Sequence, residues 1–144
     1  MKVFVTGGAG FIGSNFVLMN RQATENIVIN LDKLTYAGNL ETLASLKVDP
    51  HHIFVQGDIG DQQLVRQLLT HYQPDAIVNF AAETHVDRSI DGPEAFIQTN
   101  VVGTFHLLQE ARNYWRALPS GRQDNFRFLH ISTDEVFGSL GLSD

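Results

Sequence analysis

Thr6-Gly7-Gly8-Ala9-Gly10-Phe11-Ile12-Gly13-Ser14 follows directly on the apolar run Val3-Phe4-Val5, and together they read as a strand, a glycine turn and the first turn of a helix. Gly7, Gly10 and Gly13 fall three residues apart. The spacing differs from the commoner G-x-G-x-x-G but meets the same needs. A tight turn requires a residue without Cβ, a diphosphate requires close backbone approach, and a helix lying on its strand requires a small contact residue. The free N–H groups and positive dipole end of the helix would face the diphosphate. Any strand-to-helix turn can use glycine, so the turn alone is a weak signal. Its context is stronger: a second apolar run, Ile27-Val28-Ile29-Asn30-Leu31, ends at Asp32, about twenty residues beyond the loop, where a dinucleotide site places an acid.

Asp32 can accept a hydrogen bond from a ribose 2′-hydroxyl, and its charge would repel a 2′-phosphate. NAD is therefore expected over NADP, although Lys33 next to it would suit a phosphate. A strand-end turn residue is the plain alternative for Asp32.

Outward from this corner the chain alternates. Phe11 to about Arg21 reads as a helix packed on a sheet through Phe11, Ile12, Phe16, Val17 and Met19. The stretch from Asp32 to Asn39 is a loop, and Asn39 can cap a short helix carrying Leu40, Leu43 and Leu46. Ile53 to Gln56 is a third strand. Asp61 can cap a helix whose Leu64, Val65, Leu68 and Leu69 share one face. Ala76 to Phe80 is a fourth strand. A helix starts near Pro93 and runs towards Trp115 and Leu118, Pro119 to Asn125 is a loop, and Phe126 to Ile131 is a fifth strand. Continuous apolar strands separated by helices specify an α/β fold, a Rossmann-like doubly wound parallel sheet. Its ligands collect beyond the C-terminal strand ends. A sixth strand is often present in such folds, so the architecture is expected to be incomplete on its C-terminal side, with residues 1–144 forming one dinucleotide-binding domain.

Composition narrows the function classes. The chain has 144 residues, 43% hydrophobic and 18% charged, as expected of one globular core. The net charge of −6 and ten scattered Lys and Arg argue against nucleic acid as a partner. No cysteine is present, so neither a disulfide framework nor thiolate metal ligation is available. The first strand is too short and too soon broken by glycine to be a signal peptide or membrane span. A cytoplasmic protein with no membrane partner is expected. The six histidines show no metal-ligand spacing, so no metal is expected. His51-His52 reads as a loop pair and His130 as a hydrogen-bonded core residue.

Three polar segments could carry chemistry. Asp58 and Ile59 follow the third strand and could hold the adenine, the carboxylate taking its amine and Ile59 packing on the ring. A helix-capping loop explains them equally well. Ala81-Ala82-Glu83-Thr84-His85-Val86-Asp87-Arg88-Ser89 follows the fourth strand. The small Ala81-Ala82 pair would let a cofactor lie against the strand end, and the polar residues after it could line a substrate cleft or form a hydrogen-bonded loop balanced by Asp87 and Arg88. Ser132-Thr133-Asp134-Glu135 closes the fifth strand. Two adjacent acids beside a cofactor can divide into an acid and a base, although a solvated strand terminus would look the same.

The glycine turn, the segment from Asp32 to Leu40, the segment from Ala81 to Ser89, Asn100-Val101-Val102-Gly103-Thr104 and Ser132-Thr133-Asp134-Glu135-Val136-Phe137-Gly138 together resemble the extended short-chain dehydrogenase/reductases. Within them the chain resembles the branch that dehydrates dTDP-glucose. The glycine motif identifies only the superfamily. The triplet Thr133-Asp134-Glu135 is the specific part, because sugar epimerases lack the acid pair and relatives acting on GDP-mannose or UDP-glucuronate carry a different residue before the glutamate.

The resemblance implies an NAD-dependent lyase. The sugar C4 hydroxyl is oxidised, water is eliminated across C5 and C6, and the stored hydride returns to C6. Glu135 would take the C5 proton, Asp134 would protonate the departing C6 hydroxyl, and Thr133 would hydrogen-bond the C4 oxygen. By the same matching Phe11, Ile12, Lys33, Leu34, Thr35 and Thr99 join Gly7, Gly10, Gly13, Asp32, Asp58, Ile59, Ala81 and Ala82 as cofactor contacts. Thr84 becomes a substrate contact, and the long helix becomes a face for a homodimer. Phe137 stands where the family usually has tyrosine. The family's Tyr-x-x-x-Lys motif is absent, since Tyr36, Tyr72 and Tyr114 are followed at that spacing by Leu40, Ala76 and Leu118. The resemblance also implies that the family's substrate domain lies outside residues 1–144, which alone are expected not to turn over. An epimerase or decarboxylase with the same cofactor half, or a non-enzymatic NAD-binding module, remains an alternative.

Overall fold

A computed structural model describes residues 1–85, 90 and 92–138. Five strands form one parallel sheet: β1 (Lys2–Thr6), β2 (Ile27–Asp32), β3 (His52–Gln56), β4 (Ala76–Asn79) and β5 (Arg127–His130), in the order β3-β2-β1-β4-β5. This is the doubly wound arrangement expected from the alternating pattern. Residue alternation along β1 assigns its faces: Val3 and Val5 enter one core with Val17, Val28, Leu43 and Leu46, and Phe4 enters the other with Ile29, Leu31, Leu69, Ile77 and Leu107. Burying each of these side chains contributes about 1.5–3 kcal/mol. Because β1 is covered on both faces, its apolar run is continuous.

Helix α1 (Phe11–Ala23) and the 3₁₀ helix Leu40–Leu46 cover the first face, and α2 (Gln62–Tyr72) lies on the second. The caps are local. Asn39 Oδ1 accepts from Glu41 N, and Asp61 Oδ1 accepts from Leu64 N at 3.0 Å. Past β4 the chain forms one continuous helical run of three parts: α3 (Pro93–Phe96), a π-helical stretch Ile97–Gly103, and α4 (Thr104–Ala117). Pro93 sits at its first turn, as its fixed φ allows.

Several expectations are corrected. Phe11, Ile12 and Met19 are exposed, and α1 instead reaches the sheet through Val17 and Phe16, whose ring lies 5.3 Å from that of Phe80. The 119–125 segment holds a one-turn helix, α5 (Ser120–Gln123), nucleated by the Pro119 carbonyl, which accepts from both Arg122 N and Gln123 N. His52 opens β3 and is not part of a loop. His130 is hydrogen-bonded, to Asn79 at 3.0 Å, yet it is exposed because β5 has a strand neighbour on one side only among the described residues. Ser132 to Glu135 is not a plain strand terminus, since Asp134 begins the one-turn helix α6 (Asp134–Phe137). No helix of the described residues is long and apolar enough to cross a membrane.

A cofactor cleft at the reversal of strand order

The register sets the level of the site. Val55, Leu31, Thr6, Asn79 and His130 form one row across the sheet. The ladder continues one residue further through Gly7 N to Leu31 O and Phe80 N to Thr6 O, each at 2.9 Å. Above that row the chain diverges, because β2 and β4 leave β1 in opposite directions. A cleft of about 90 Å³ opens there, where doubly wound sheets bind ligands.

Gly7 and Gly10 line it from β1, Asp32, Lys33 and Thr35 from β2, and Asp58 and Ile59 from β3. Ala81 and Ala82 line it from β4, and Thr99 from the π-helical stretch. Ten of the expected cofactor contacts thus converge. Glu83, one of the polar residues expected to line a cleft after β4, lines it too, as do Leu31, Ala37, Gly38, Gly57 and Phe80, which the sequence did not single out. Phe11 and Ile12, with exposed side chains, are not among the residues that line it; they form the first turn of α1, which Gly10 caps without a side-chain hydrogen bond.

The glycines divide the work. Gly7 has φ +70°, and a Cβ on it would stand 2.6 Å from Ala81 N. A Cβ on Gly13 would collide with the Gly7 carbonyl, and one on Gly8 with the Asn30 side chain. Gly10 is different: its nearest neighbour would be Gly7 O at 3.3 Å, and it faces the cleft. Three glycines serve chain packing, and Gly10 is the one that leaves room for a ligand.

Asp32 is buried, with Oδ2 accepting from Ala9 N and Oδ1 from Leu34 N, both at 2.8 Å. It is therefore a turn residue as well as a cleft residue. Each oxygen keeps a further lone pair, which suits a ribose hydroxyl. The turn it holds is strained, since Leu34 has φ +57°, a region costly for leucine. Lys33 leans away from Asp32 to pair with Asp58 Oδ2 at 2.7 Å, and Asp58 Oδ1 accepts from Gly60 N. Burial pushes the Asp58 carboxyl up, but the Lys33 hydrogen bond, the Gly60 N–H and the Lys33 charge outweigh it and hold the group below the usual range. The side-chain cap of α2 comes from Asp61, and each Asp58 oxygen keeps a further lone pair at the cleft wall.

Two asparagines that sequence reading passed over tie the strands together. Asn79 Oδ1 accepts from Ala81 N and from Thr6 Oγ1. Asn30 lies beneath Gly8 and contacts His52 Nε2 at 3.4 Å, and burial pushes the His52 imidazole pKa below its ordinary value. The available signal was an amide inside an otherwise apolar strand, which is costly unless satisfied; the Asn79 oxygen is satisfied, whereas the buried Asn30 Oδ1 has no hydrogen-bond partner among the described residues.

At the far side of the same sheet end, Thr133 and Asp134 are exposed, and Thr133 Oγ1 donates to Asp134 Oδ1 at 3.1 Å. They do not line the cleft. The Glu135 side chain, Val86 to Ser89 with Asp87 and Arg88, and residues 139–144 lie outside what the structure describes. Thr84 is exposed beside the cleft. Tyr72 and Tyr114 sit at the opposite end, Tyr114 donating to Pro74 O. Among the described residues, no group of three or more His, Asp or Glu is placed to hold a metal.

Comparison with known proteins agrees with this arrangement. The chain is 67% identical over 138 residues to a dTDP-glucose 4,6-dehydratase of Xanthomonas campestris pv. campestris (strain B100), covering 95% of this chain and 39% of the relative. It is 54% identical over 140 residues to dTDP-glucose 4,6-dehydratase 1 of Escherichia coli (strain K12), covering 97% and 39%. The chain therefore spans about two fifths of the length of these curated relatives. The crystal structure of DesIV, a dTDP-glucose 4,6-dehydratase from Streptomyces venezuelae solved with NAD bound, superimposes with a TM-score of 0.82 at 48% identity, over 98% of this chain and 42% of that one. The family model described as GDP-mannose 4,6 dehydratase matches residues 4–143, nearly the whole sequence, and the chain belongs to that family.

Proposed function

We propose that this chain is the cofactor-binding part of an NAD-dependent dTDP-glucose 4,6-dehydratase. The observation that carries the reading is one shared sheet end. The glycine turn and Asp32 shape a dinucleotide cleft there, and Thr133-Asp134-Glu135 follows the neighbouring β5. The 67% identity to a named dehydratase supports the substrate.

Bound NAD supplies a reversible store for one hydride. The chain's residues do the rest. Gly10 and the first turn of α1 admit the diphosphate, and Asp32 takes the ribose hydroxyl and disfavours a 2′-phosphate. Once C4 is a ketone the C5 proton is acidic. Glu135 removes that proton, and Asp134 gives one to the C6 hydroxyl, which leaves as water. Thr133 orients the C4 oxygen and Thr84 contacts the sugar. The C4 oxidation itself needs a base, and none of the three tyrosines here belongs to a Tyr-x-x-x-Lys motif.

The reading extends to a homodimer through the long helical run. Ile97, Val101, Phe105, Leu108 and Trp115 recur every three to seven residues and are 40–58% exposed, a spacing suited to packing against a second copy. The deciding experiment is to mix the full-length protein with dTDP-glucose and look for a 4-keto-6-deoxy product. An epimerised sugar or a decarboxylated one would favour the neighbouring enzyme classes. NAD binding with no turnover of any nucleotide sugar would favour a binding module.

A further inference from the structure

The loops after β2 and β4 meet across the cofactor cleft. Tyr36, from the β2 loop, donates its hydroxyl to Glu83 Oε2 at 3.0 Å, and its ring lies edge-on to His85 with centroids 6.3 Å apart. One side chain thus touches both residues that flank Thr84. Glu83 is itself held from behind. Its backbone N–H donates to Asn100 Oδ1, and Asn100 Nδ2 donates back to its carbonyl, both at 2.8 Å. Asn100 belongs to the π-helical stretch, one residue after the cleft-lining Thr99, and such wide turns recur at functional sites.

Glu83 lines the cleft, as do Thr35 and Ala37 on either side of Tyr36. The tyrosine-carboxylate bond therefore joins two walls that have no strand pairing between them, since β1 separates β2 from β4. Its two partners are 47 residues apart. A dinucleotide lying along the strand ends would pass between the loops that this bridge joins.

We infer that Tyr36 and Glu83 form a clasp between the two loops of the cofactor cleft that slows cofactor release. The inference rests on the cofactor reading above.

The test is a double-mutant cycle on the full-length protein, with Tyr36→Phe, Glu83→Ala and the double variant. The readouts are NAD dissociation into excess competing nucleotide and the melting temperature without NAD. Each single variant should release NAD about fivefold faster, the factor for a hydrogen bond of about 1 kcal/mol, and the double should be no faster than either. Tyr36→Phe keeps its ring and is exposed, so it decides the matter if Glu83→Ala does not fold. Glu83→Gln, which retains an acceptor, should restore slow release. Release from Tyr36→Phe within twofold of wild type, or additive effects in the double variant, would overturn the clasp while leaving the cofactor reading intact. A wild-type protein that binds no NAD would overturn both.

Discussion

Two sides of the same sheet end are built differently although both bear candidate functional residues. At the β1–β2 corner nearly every polar atom is committed. Asp32 holds Ala9 and Leu34, Gly7 continues the ladder to Leu31, and Gly8 and Gly13 are packed where no Cβ fits. At the β5 end Leu129, Val136 and Phe137 are exposed by 52%, 71% and 80%, and Thr133 and Asp134 bond to each other beyond the cleft. A cofactor site needs a fixed backbone shape, so its residues are also structural residues. An acid pair needs only to stand beside its substrate, so its residues can be nearly free of the core.

The sharpest way to break this contrast is at Gly7. Gly7→Val should destabilise by about 4 kcal/mol or more, since it forces a β-branched residue to positive φ against the β4 backbone. Thermal unfolding measures it. Gly10→Ala should leave the melt nearly intact and weaken NAD binding, which separates packing from ligand approach. Next in size, Asp32→Ala should cost about 2–4 kcal/mol by orphaning two backbone N–H groups, while narrowing the preference for NAD over NADP in titrations. Equal stability with altered preference would show that Asp32 is a ligand residue alone. The smallest effect belongs to Asp134→Asn. Its melting temperature should stay within about 2 °C of wild type, while formation of the 4-keto-6-deoxy product by the full-length protein falls by about 10²-fold or more, the usual contribution of a positioned acid. A large fall in stability would place Asp134 in the fold.

The same contrast explains what was legible in the sequence. The β1–β2 corner could be read because its constraints act over short stretches: an apolar run, a residue without Cβ, an acid at the next strand end. The partnership of Lys33 with Asp58 and that of Asn79 with Thr6 and His130 could not, because they join residues brought together only by the register of parallel strands. Periodicity identified the apolar positions of α1 and of the long helical run without telling which are covered, so Phe11, Ile12 and Met19 read as core. The π-helical stretch Ile97–Gly103 has the same composition as a regular helix and left no signal. At the β5 end the triplet was legible as chemistry through family resemblance, while the placement of Thr133 and Asp134 outside the cleft was not.

The central position of β1 has a consequence for how the protein is made. Of the five described strands this one is synthesised first, yet its second neighbour is β4, and the Lys2 N–H finds its carboxylate partner at Asp75, 73 residues later. At about 5–20 residues per second, translation takes roughly 4–15 s to supply that partner. Throughout that interval Val3-Phe4-Val5 has one edge unpaired, and nascent chains of this protein should depend on chaperones most strongly between the emergence of β2 and that of β4.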